Sequence, residues 1–250
     1  MSKSAINFLN PYYEKIFFIC PSKHFKNVER LFSDNNNILF EYVVNTLPEP
    51  FKGSELHDIK KIYSKHKKSK DTDLLMASPS YKNIRFLSNR IEGMNRKFDF
   101  ITKNNCLHPY PHVKDSYEMI GLDLKIFYEK FSIPETKKSK ELLELSSRYK
   151  IIFCHTQASN LEINVSQKIF EKINNPLYLV ICANKNLYST DHAKFPIAQK
   201  FLNETVPDFI NIIIEAEEIF IIDSCFSSIV STLLAKNELK ASRINMIRRN

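Results

Sequence analysis

The run Ile219-Phe-Ile-Ile-Asp223, followed at once by Ser224-Cys-Phe226-Ser227-Ser228, decides how this chain is read. Four consecutive large apolar residues describe a strand buried on both faces, the kind that parallel sheets contain. Asp and Ser then break the run. The segment beyond them, to Ala235, is apolar at helical spacing, so strand passes into helix across a serine-rich turn. Working outward, the same alternation recurs. Lys150–His155 (KIIFCH) reads as a strand, Ile163–Ile173 as a helix and Leu177–Cys182 as a strand. Helices near Asp191–Asn203 and Asp208–Glu217 and a last strand at Arg243–Ile247 complete the series. Strands alternating with helices imply a parallel sheet covered by helices.

The first half carries a looser version of the pattern. Lys15–Cys20 (KIFFIC) and Ile38–Val44 read as strands, with a helix near Lys23–Phe32 between them and another at Glu55–His66. Leu74–Ala77, Ile84–Leu87 and Phe98–Ile101 are further strand candidates. A Pro- and His-containing segment, Leu107–Val113, interrupts the series. It is followed by a helix-like stretch from Asp115 to about Phe131, a turn at Pro134 and a charged segment, Lys137–Arg148. The expectation is an α/β fold of two Rossmann-like parallel-sheet halves facing a cleft, over residues 1–135 and 150–250. Their junction falls within Pro134–Tyr149. Such folds bind ligands at the carboxyl ends of their strands.

Composition narrows the function. With 250 residues, 43% apolar and 26% charged, the chain can bury a sizeable core without staples. No apolar run approaches the ~20 residues of a membrane helix, because Glu215, Glu217 and Glu218 interrupt the longest, Phe209–Ile222. The opening MSKSAINFLN lacks the apolar stretch of a signal peptide, so a cytoplasmic location is expected. The five cysteines (Cys20, Cys106, Cys154, Cys182, Cys225) form no CxxC pair, and four lie in or beside strand-like runs. There a reduced thiol acts as a small hydrophobe, so no metal site is expected. Only Gly53, Gly93 and Gly121 are present, which excludes GxGxxG and P-loop cradles.

The net charge of +8 points to an anionic partner: nucleic acid, a membrane face or a phosphorylated small molecule. Much of the excess lies in Lys60–Lys70, which reads first as a solvated helix end and second as a phosphate-tracking surface. It has no run of base-stacking aromatics, so nucleic acid is not favoured; a peripheral contact with an anionic membrane remains open. Asp71-Thr-Asp73 matches a metal-binding DxD pattern but precedes an apolar run instead of following one, and reads as a loop. No GxSxG, HExxH, SxxK or kinase motif occurs, leaving hydrolase and kinase readings without support.

Polar residues gather just after the strands of the second half. KIIFCH runs into Thr156-Gln157-Ala158-Ser159-Asn160, the next strand into Asn184-Lys185-Asn186, and the third into Asp223, Ser224, Phe226, Ser227 and Ser228. A serine-rich helix N-terminus offers free N–H groups, hydroxyls and a positive dipole end, a seat for a diphosphate. Plain N-capping explains the same residues. Three clusters at successive strand ends favour a site. His155 ends a strand and His24 lies in the first strand-to-helix turn, each placed either to meet a ligand or to serve the fold. His112 and Asp115 are close enough to form a general-base pair, although Asp115 also suits a helix cap.

The ordered set of segments resembles small GT-B-type glycosyltransferases of bacterial surface-polysaccharide clusters and large DNA viruses. The resemblance runs over about residues 107–235 and rests on Pro111-His112-Val113-Lys114-Asp115-Ser116-Tyr117, Ile120–Asp123, Phe131 and Pro134. It continues through IIFCHTQASN, Asn184-Lys185-Asn186-Leu187-Tyr188 with Asp191-His192, and the Asp-Ser-x-Phe-Ser turn. Gln157 and Ala158 depart from it, standing where serines or acids are usual. The resemblance implies transfer of a sugar from a nucleotide diphosphate sugar to a glycan or glycolipid hydroxyl. The C-terminal half would hold the donor, the N-terminal half the acceptor, with no metal or other cofactor. Asp115 or His112 would act as base. His24, His155, Ser159, Asn160, Asn184, Lys185, Asn186, Asp223, Ser224, Phe226, Ser227 and Ser228 would line the substrates. A basic nucleic-acid-binding α/β protein and a non-catalytic nucleotide-binding scaffold are the competing readings.

Overall fold

The computed structural model describes residues 2–43, 117, 122–158, 161–162, 167–222 and 224–247. The chain divides into two compact units, Met1–Ser132 and Ile133–Asn250. Both are mixed α/β with parallel strand pairing.

In the first unit, helix α1 (Ser2–Leu9) precedes strand β1 (Ile16–Pro21), helix α2 (Phe25–Leu31) and strand β2 (Ile38–Val43). Strands β1 and β2 pair in parallel from Ile16↔Ile38 to Pro21↔Val43. Ile6, Phe32 and Ile38 form the buried cluster between helices and strands, with Phe18 and Phe40 packed on it. The strand-poor opening segment conceals α1. Its Ala5, Ile6 and Leu9 are buried at the spacing of one helix face. Farther along lies helix α3 (Lys125–Glu129). The strand and helix candidates within 44–116, the Lys60–Lys70 cluster and Asp71-Thr-Asp73 lie outside the described residues.

The second unit begins with helix α4 (Lys137–Ser146), where the sequence suggests only a charged junction. Thr136 and Ser139 close a capping box at its start. Leu142 and Leu145 face the core, so the charges of KKSKELLELS clothe the outer face of a docked helix. A buried carboxylate ties this helix down. Asp208 accepts from the Thr136 hydroxyl at 2.7 Å and from the Thr205 amide at 2.8 Å.

Four strands follow: β3 (Lys150–His155), β6 (Tyr178–Cys182), β7 (Glu218–Ile222) and β8 (Arg243–Ile247). They form one parallel sheet in the order β6-β3-β7-β8. The central pair is buried along almost its whole length because helices and neighbouring strands enclose it. Between β3 and β6 lie a two-pair antiparallel hairpin, β4 (Gln157–Ala158) with β5 (Leu161–Glu162), and helix α5 (Gln167–Ile173). The sequence reads that hairpin as a loop.

Two helix expectations shorten. In place of Asp191–Asn203 stands α6 (Phe195–Gln199). Pro196 sits at the start of this helix, where its missing N–H is harmless. A helix beginning at Asp191 would have put it in the interior. In place of Asp208–Glu217 stand a 3₁₀ turn, Val206–Phe209, and helix α7 (Ile210–Glu215). Helix α8 (Cys225–Ala235) buries Phe226, Ile229, Val230 and Leu233 against the sheet, one face at i, i+3, i+4 and i+7. It stops at Asn237, whose φ of 56° is left-handed, as asparagine tolerates. No helix among the described residues is long and apolar enough to cross a membrane.

Candidate functional site

Strand order locates the site. Strand β6 lies on one side of β3 and β7 on the other, so the chain reverses its direction of travel across the sheet at β3. In open parallel sheets the crevice outside the carboxyl ends at such a reversal is where ligands bind. Here those ends are His155 on β3 and Ser224, just past β7. The two meet. Ser224 Oγ and His155 Nδ1 are 3.1 Å apart.

The serine turn is built by its own hydrogen bonds. Ser224 caps α8, accepting from the Phe226 amide at 3.3 Å, while Ser227 Oγ accepts from the Ser224 amide at 3.1 Å. Ser227 also donates to the Ser224 carbonyl at 2.6 Å and is fully buried. Its hydroxyl is committed to the capping box and turned away from solvent. Phe226 is buried too. Its ring packs 5.2 Å from Phe153, 5.8 Å from Phe209 and 4.7 Å from the His155 imidazole. These two residues shape the turn from beneath. The half-buried His155, Ser224 and Ser228 and the exposed Cys225 make its upper surface.

The second strand end is locked to the first. The Thr156 amide donates to Asn184 Oδ1 at 2.9 Å, and Asn184 Nδ2 returns a bond to Thr156 Oγ1 at 3.1 Å. Asn184 thus clamps the carboxyl ends of β3 and β6 in register. Asn186 performs a similar service for the following turn: it accepts from the Tyr188 amide and donates to the Phe195 carbonyl, both at 3.1 Å. His192 Nδ1 accepts from the Lys194 amide at 3.0 Å and its ring lies 4.6 Å from that of Tyr188. Between the two asparagines, Lys185 points its ammonium at Glu162 of the hairpin, 2.6 Å away.

Of the expected site residues, the structure brings His155 to Ser224, with Phe226 and Ser227 beneath their turn and Ser228 beside it. It seats Asn184 on Thr156 at the same edge, while Lys185 is turned to Glu162 and Asn186 to Phe195 and Gln199. His24 is exposed in a 3₁₀ turn after β1, in the first unit. His112, Asp115, Ser159, Asn160 and Asp223 lie outside the described residues. Sequence reasoning passed over Thr156 as a partner of Asn184 and over Glu162 altogether. Nothing local marks Glu162, since an acid just ahead of an expected helix is commonplace. Chemically, the edge carries hydroxyls, an imidazole and an ammonium, groups an anion engages by exchange with their present partners. No family model, curated protein or solved structure matches the chain.

Proposed function

We propose that this protein is a glycosyltransferase that moves a sugar from a nucleotide diphosphate sugar to an acceptor hydroxyl without a metal. The second unit binds the donor at the carboxyl edge of its parallel sheet, and the first unit is the acceptor half of a two-Rossmann, GT-B-like arrangement. The observation that carries the reading is the His155–Ser224 contact of 3.1 Å across the point where strand order reverses. A leaving diphosphate accumulates negative charge as the glycosidic bond breaks. The positive end of the α8 dipole, the Ser224 hydroxyl, the His155 imidazole and the Lys185 ammonium stabilise that charge most as it develops. Asp115 or His112 removes the acceptor proton. Ser227 and Phe226 act indirectly, by holding the turn in shape.

Titration calorimetry with UDP, GDP, CDP and dTDP tests this. One nucleotide is expected to bind saturably, and His155→Ala with Lys185→Ala to weaken it at least about tenfold, as losing charge-assisted bonds does. Binding of none of the four, or equal binding by the double variant, sinks the proposal.

A further inference from the structure

The Lys185–Glu162 ion pair is unlike the other ion pairs at the strand ends of this sheet. Lys150–Glu217, Lys172–Glu218 and Arg243–Glu218 all lie at the amino ends. Lys185–Glu162 lies at the carboxyl end, beside the Asn184 clamp, and its carboxylate comes from a hairpin held by only two residue pairs. Both side chains are open to solvent, 33% for Lys185 and 53% for Glu162. An ion pair so exposed is weak and exchanges readily.

We infer that Glu162 is an internal competitor for the Lys185 ammonium, so the edge takes ligands bearing more than one negative charge. The inference rests on the diphosphate reading above and names the residue that sets its charge requirement. A carboxylate brings one negative charge on two oxygens. The diphosphate of a nucleotide sugar or of a nucleoside diphosphate brings at least two negative charges and several acceptor oxygens, so it outcompetes Glu162 for the same donor. A singly charged ligand gains no such margin. The root of the Lys185 side chain is fixed by its neighbour Asn184, so the ammonium exchanges partners without moving the strand end. Displacement also frees β4–β5 from its tie to the loop after β6.

The test compares the full chain with Glu162→Gln, Lys185→Ala and the double variant, titrated with UDP, GDP and inorganic pyrophosphate. Glu162→Gln is expected to bind about twofold to fivefold tighter than the unaltered protein, the worth of an exposed pair. Lys185→Ala should bind more weakly, and the double variant should match Lys185→Ala, because the competitor has lost its target. Glu162→Ala, with the same expected gain, replaces Glu162→Gln if circular dichroism shows the latter misfolded. If the unaltered protein binds while Glu162→Gln binds equally or less tightly, the inference fails and the diphosphate reading stands. If no variant binds any probe, both fail.

Discussion

The two ends of the four-stranded sheet are built to opposite rules. At the amino end, charges cancel one another. Lys150 meets Glu217 at 3.2 Å, Lys172 meets Glu218 at 3.1 Å, and Arg243 reaches the same Glu218 at 4.0 Å. Tyr178 adds its hydroxyl to Glu217 and its ring to Lys172, whose ammonium lies 3.9 Å from the ring centroid. That side-chain bond to Tyr178 and the pair with Glu218 hold the Lys172 pKa above its usual value. At the carboxyl end, among the described residues, Glu162 is the carboxylate of an exposed ion pair, and Thr156, Asn184, Ser224 and Ser227 bond side chain to backbone. One end consumes its polar groups in tying strands together. The other joins neutral amides, hydroxyls and an imidazole at its strand ends, chemistry suited to a binding edge.

The largest break should come from beneath the carboxyl end. Phe226→Ala removes the ring that Phe153, Phe209 and His155 pack against, and urea denaturation should show about 3–5 kcal/mol of lost stability. Next is a matched deletion at each end. Glu218→Ala strips the nearly buried carboxylate from Lys172 and Arg243 and should cost about 1–3 kcal/mol. Lys185→Ala, in the exposed pair, should cost under about 1 kcal/mol by the same measurement. Equal costs at the two ends would erase the contrast.

A comparably small effect at neutral pH concerns the sheet margin. Burial pushes the Tyr188 hydroxyl up to about 12 from 10.0, and its oxygen accepts the Val180 amide of β6 at 2.8 Å. A raised tyrosine value means the unfolded chain loses this proton first. The stabilisation is therefore whole below pH 10 and fades as pH climbs from 10 toward 12. Tyr188→Phe should lower stability by about 1 kcal/mol at pH 7 and flatten the decline between pH 10 and 12, read by denaturant titration.

What the sequence disclosed follows from which signals are unambiguous. KIIFCH and RINMI are apolar runs with polar flanks, and β3 and β8 occupy the very bounds read for them, Lys150–His155 and Arg243–Ile247. Helix α4 is hard to read because only two of its three leucines, Leu142 and Leu145, face the core, and charge dominates its composition. The serine turn posed a different problem. Ser224 and Ser227 obey the capping pattern and the phosphate-seat pattern equally, and only hydroxyl direction separates them. Ser227 points inward and Ser224 touches an imidazole. Asn184 is legible as a polar residue at a strand end, but its partner Thr156 sits just past a different strand, a pairing no local spacing encodes.

The strand order β6-β3-β7-β8 also imposes a timetable on synthesis. Strand β3 is the first of this sheet to be made and gains β6 soon after, but its other flank stays bare until β7 has been made. During that interval the apolar Ile151–Cys154 segment presents an unsatisfied edge to every neighbouring nascent chain. A stall in translation between Cys182 and Glu218 would prolong that exposure.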